Sequence, residues 1–67
     1  MAIMKVLELM SDSKESWEDA TEKAVKKARK SVNNIRSVWV QDFAATVDDD
    51  GNLIKYRVTV KVTFEVK

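Results

Sequence analysis

The sequence predicts an α+β domain of βαββ order, with a three-stranded antiparallel sheet and one helix packed on one face. Three observations carry this. Tyr56 to Val66 alternates strictly, with Tyr56, Val58, Val60, Val62, Phe64 and Val66 on one side and Arg57, Thr59, Lys61, Thr63 and Glu65 on the other, a period of two that only a strand satisfies. Trp17, Ala20, Thr21, Ala24, Val25, Ala28 and Val32 fall on one stripe at helical spacing. Asp48-Asp49-Asp50-Gly51-Asn52 separates two long strand-forming runs, as a hairpin turn does.

The 67 residues make one domain, 1–67, and the 45% hydrophobic and 34% charged composition is that of a globular chain. Ala2 to Met10 is rich in Ile, Val, Leu and Met without a helical period, and reads as a first strand buried on both faces. Ser11-Asp12-Ser13 follows. Ser13 is the expected N-cap of a helix from Lys14, with Asp12 and Glu15 as an alternative capping box one residue earlier. Acids (Glu15, Glu18, Asp19, Glu22) fill the first half of that helix and bases (Lys23, Lys26, Lys27, Arg29, Lys30) the second, which complements the helix dipole. Asp19/Lys23 and Glu22/Lys26 stand four apart in the favourable direction. Asn33-Asn34 is a plausible stop, because Asn tolerates the left-handed conformation. A second strand runs from Ile35 or Arg36 to Val47, and a third from Leu53 to Val66.

One helix covers one face of a sheet. The other face is expected to carry Ser37, Trp39, Gln41 and Phe43 beside Arg57, Thr59 and Lys61. Large aromatics on an uncovered face point to a partner subunit or a ligand. A domain this small hides only about 60% of its unfolded surface. It has no Cys and no His, so disulfides and Cys/His zinc sites are excluded and oligomerisation is the support left over.

The order Lys5-Val6-Leu7-Glu8-Leu9, Ser13 with Glu15-Ser16-Trp17, Ala24-Val25, Ala28-Arg29, Val32-Asn33-Asn34-Ile35 and Tyr56-Arg57-Val58-Thr59-Val60-Lys61-Val62-Thr63-Phe64 resembles the dodecins over nearly the whole chain. The resemblance implies a βαββ fold and a hollow homododecamer that binds and stores flavins (riboflavin, FMN or FAD) without catalysis. Paired flavins would stack at subunit contacts on the uncovered sheet face. Two family positions carry that contact. The flavin-stacking Trp corresponds to Ser37 here, with Trp39 two residues later and about 7 Å along the same face. The ring-edge Gln corresponds to Arg57. The family's Gly-Thr-Ser before the helix is replaced by Ser11-Asp12-Ser13. Ser cannot stack, and Arg offers donors only. The chain looks closer to a dodecin-like subgroup that lacks the flavin residues, carries Arg at the Gln position and is linked to calcium.

The expected ligand residues are therefore Ser37, Trp39, Gln41 and Arg57. Asp48, Asp49 and Asp50 could hold a hard cation such as calcium, although the turn lacks the later Glu of a calcium loop and also reads as a solvated hairpin. Lys23, Lys26, Lys27 and Lys30 read as a solvated face, and the net charge of +1 does not argue for nucleic acid. With neither His nor Cys and no Gly-rich phosphate loop, nothing points to an enzyme. No apolar run approaches the roughly 20 residues of a membrane span. Met1 to Met10 contains Lys5 and Glu8 and does not read as a signal peptide, so a cytoplasmic location is expected. The functional readings are a flavin-sequestering shell, a shell of the same kind that is structural or binds calcium, and a small dimeric interaction domain.

Overall fold

The computed structural model describes residues 2–67. Its elements are β1 (Ile3–Ser13), α1 (Trp17–Arg29), β2 (Ile35–Val47) and β3 (Leu53–Val66). They form a three-stranded antiparallel sheet in the order β1-β3-β2, so the expected βαββ architecture is present. The alternating third strand lies in the centre, where both edges of its backbone are paired.

The helix lies over β1 and β3 and scarcely touches β2. Ala20, Ala24 and Ala28 meet Val58, Val60 and Val62, and the three valines are fully buried. Alanine has no side chain to hold the backbones apart, so the helix sits close to the pleat. Each buried valine contributes about 1.5–3 kcal/mol relative to an exposed one. Leu7, Leu9, Trp17, Val25, Ile35 and Val40 extend this core at its edges.

Three expected boundaries move, the end of β1 and both ends of the helix. β1 continues through Ser11, Asp12 and Ser13, which pair with Val58, Arg57 and Tyr56. The N-cap is Ser16 and not Ser13: its hydroxyl accepts from the Asp19 amide at 2.9 Å. Asp12 and Glu15 form no capping box, because Asp12 belongs to the strand. Ser13 is nevertheless buried and bonded. It accepts from the Glu15 amide at 2.9 Å and donates to Asp19 Oδ2 at 2.6 Å, which turns the chain from strand into helix. The helix ends at Arg29, with the Ser31 and Val32 amides on the Ala28 carbonyl. Asn34 takes the left-handed conformation (φ 62°) just before β2. Asp19–Lys23 forms at 3.1 Å, whereas Glu22 and Lys26 make no ion pair.

β1 is not buried on both faces. It is an edge strand, and one helix covers one side of it. Leu7 and Leu9 are half-buried under the helix, while Val6 and Met10 on the other side are exposed.

Candidate functional site

Residues opposite each other in an antiparallel ladder share a face. The buried valines of β3 mark the helix side, so Arg57, Thr59, Lys61 and Thr63 mark the open side. β1 adds Met4, Val6, Glu8, Met10 and Asp12 to that side. In β2 the pairing is interrupted by register shifts between Ile35 and Ser37 and between Val40 and Asp42. Ser37 and Trp39 stand opposite Thr63 and Lys61 on the open face, as expected. Gln41 is the extra residue of the second bulge. After it the alternation is inverted, so Asp42 and Ala44 face the open side and Phe43 lies opposite Val58.

Phe43 is therefore on the helix side and not on the uncovered face. Its ring meets Trp17 edge-on at 5.9 Å, and Trp17 meets Tyr56 at 4.9 Å. The Trp17 indole N–H donates to the Ala44 carbonyl at 3.0 Å. Trp17 is thus a core aromatic with its polar handle satisfied.

The open face has two polar anchors. Arg57 donates to Asp12 through Nε at 2.7 Å and Nη2 at 3.2 Å, a two-pronged pair across neighbouring strands. That hydrogen bond holds the Asp12 carboxyl below its usual value and raises Arg57. The Lys61 ammonium sits 5.3 Å from the centre of the Trp39 ring, a cation–π contact, and the ring is 61% exposed. Around these anchors Met4, Val6 and Met10 are 43%, 59% and 65% exposed. Arg36 is tied to Glu65 at 3.1 Å at the end of the sheet.

Of the expected ligand residues, Ser37, Trp39 and Arg57 share the open face but do not converge, and Gln41 is exposed and unpaired at the bulge. Arg57 is four residues along β3 from Lys61, the partner of Trp39, and six from Thr63, the partner of Ser37. At the rise of a strand these gaps are about 13 and 20 Å.

The Asp48–Asp50 turn is well ordered by its own bonds. Asp48 accepts from the amides of Asp50 and Asn52, both at 2.9 Å, and Gly51 takes a positive φ of 85°. The Asn52 amide in particular lowers the Asp48 pKa. Asp49 and Asp50 remain exposed, and among the described residues no three carboxylates converge as a metal site. Asp12 is a site residue that sequence alone does not single out, and Lys61 is expected on this face but without its contact to Trp39. A register placing Asp12 opposite Arg57 would have found the first, and the contact requires knowing which residue faces Trp39.

Comparison with known proteins agrees with this architecture. The dodecin family model matches residues 3–67. The chain belongs to the dodecin family. It is 37% identical over 67 residues to the calcium dodecin of Mycobacterium tuberculosis, covering all of this chain and 93% of the relative. The crystal structure of that calcium dodecin, described as calcium chelating with a novel calcium-binding site, matches at a TM-score of 0.80 and 35% identity, covering 97% of this chain and 91% of the other. A point variant of the T. thermophilus dodecin matches at 0.90 and 28% identity, covering 100% and 98%. No helix among the described residues is long and apolar enough to cross a membrane.

Proposed function

We propose that this dodecin works by self-assembly and not by catalysis, as a homododecameric shell that sequesters a small ligand on the open sheet faces. The separation of Ser37 and Trp39 from Arg57 carries this reading. They share a face, yet about 13–20 Å of strand lies between them. A small ligand touching both ends of the site needs residues from two copies, and the exposed Val6, Met10 and Trp39 are apolar surface that a second copy would bury.

Flavin binding in the family manner has little support on this face. Ser37 offers no ring, and Arg57 is committed to Asp12. A flavin would have to displace Lys61 from Trp39. A second reading, calcium, is favoured by the likeness to the calcium dodecin. In one chain only Asp49 and Asp50 are free at the turn, so a calcium site there would need carboxylates from more than one copy.

Light scattering followed by titration tests these readings. A mass of many chains is expected, and a mass of one or two chains would sink the shell. Quenched flavin fluorescence at micromolar riboflavin or FMN would select flavin. A calcium-dependent rise in melting temperature, lost when Asp48, Asp49 and Asp50 are all changed to Asn, would select calcium. The compartment proposed is the cytoplasm, with no nucleic-acid or membrane partner.

A further inference from the structure

A second set of exposed apolar side chains lies beyond the end of β1. β1 ends at Ser13, opposite Tyr56, so residues 46–55 of β2 and β3 pair only with each other. In this ribbon Val47, Leu53 and Ile54 are 55%, 48% and 50% exposed. A two-stranded ribbon is marginally stable in water without a surface to pack on. Its turn presents Asp49 and Asp50, whose carboxylates take no part in the turn's hydrogen bonds.

The opposite end of the molecule is the complement. The long axis spans 52 Å. Where the helix runs out, a recess of about 750 Å³ opens beside the start of β2, lined by half-buried Val25, Val32 and Ile35 and by the polar Arg29, Asn33 and Asn34. Lys26 and Lys30 stand with Arg29 around the adjoining hollow. None of these three cations is in an ion pair among the described residues.

A ribbon with exposed apolar side chains and an acidic tip, and a half-apolar recess with a basic rim, match in chemistry, and they lie at opposite ends of the molecule. We propose that the β2–β3 ribbon of one copy docks into the helix-end recess of a second copy, with Asp49 and Asp50 on the Lys26–Arg29–Lys30 rim. The contact is head-to-tail, so each copy offers a tip to one neighbour and a recess to another, and a ring forms where the rotation closes. This rests on the self-assembly reading and names the surface by which copies meet. It also occupies the carboxylates that the calcium reading would use, so calcium at the turn would compete with the contact.

The chain has no Cys, which allows a clean cross-linking test. Asp50→Cys and Arg29→Cys are refolded together without calcium and oxidised. A disulfide-linked dimer of the two different variants is expected, with little dimer when either variant is treated alone. Equal or greater self-dimer formation, or no cross-link, would overturn the contact. A charge swap gives an independent measure. Arg29→Glu should raise the dissociation concentration about tenfold or more, and adding Asp50→Lys should restore it. Failure of that rescue would also overturn the contact. A multi-chain mass for the unaltered protein without the mixed cross-link would remove this contact but leave self-assembly standing. A single-chain mass would remove both.

Discussion

Replacing Trp39 with Ala probes the open face most directly. The ring is 61% exposed. A tryptophan side chain buries about 150–250 Å² when covered, so about 90–150 Å² remains for a second copy to cover. At about 25 cal/mol per Å², that is about 2–4 kcal/mol per subunit. Ordering the side chain offsets about 1 kcal/mol of this. The net loss of about 1–3 kcal/mol should raise the concentration at which the assembly dissociates on the order of 10- to 100-fold. Within a single chain the change removes the covered part of the ring and the Lys61 contact, so the strand content should survive. The assay is light scattering over a dilution series, with circular dichroism on the same samples to confirm the fold. Dilution curves that coincide for Trp39→Ala and the unaltered protein, with the fold intact, would refute burial of this face.

Other outcomes test the frame around the site. Val60→Ala removes two methyl groups from a fully buried position and should cost about 2–3 kcal/mol by denaturant unfolding, from lost transfer energy plus a cavity. Ser16→Ala should destabilise by about 1 kcal/mol through loss of the helix cap. The Lys14→Ala change, at a position with no capping bond, should be close to neutral. Acid should weaken the fold in a defined window. Asp12 is held below 3.8 chiefly by the hydrogen bond from Arg57, and Asp19 chiefly by the one from Ser13. Both groups therefore stabilise the fold fully above their unfolded values. That contribution is lost as pH falls through the lower folded values, so stability should decline below about pH 4. Asp12→Asn and Asp19→Asn should each flatten the decline, and an unchanged acid limb in both would contradict the assignment. Restoring the family's pattern with Ser37→Trp and Arg57→Gln together should bring flavin quenching to the micromolar range, and its absence would show that more than these two positions excludes flavin.

Much of the fold was legible because it rests on local periodicity. The alternation from Tyr56 to Val66 requires a half-covered strand, and the Ala20–Ala24–Ala28 stripe requires a helix lying close upon it. Both hold, with Val58, Val60 and Val62 fully buried. The β2 and β3 boundaries, Ile35–Val47 and Leu53–Val66, follow from the turn between them. The capping serine was ambiguous because Ser13 and Ser16 are both good caps. The choice went to Ser16 once Ser13 was drawn into the strand and onto Asp19.

The candidate site was less legible, for a reason specific to strands. A bulge shifts the period by one residue and inverts every side chain after it. Nothing around Gln41 announces the insertion, so Phe43 reads as open-face from sequence and lies against Trp17 in the fold. Arg57 was identifiable as the informative residue of β3, but its partner was not. Asp12 lies 45 positions away in the chain and meets Arg57 only through the register of β1 on β3. Local pattern thus determined which elements form and which face of β3 is core. Only the tertiary pairing decided which side chains share the open face, because register and bulges are set by contacts between segments far apart in the sequence.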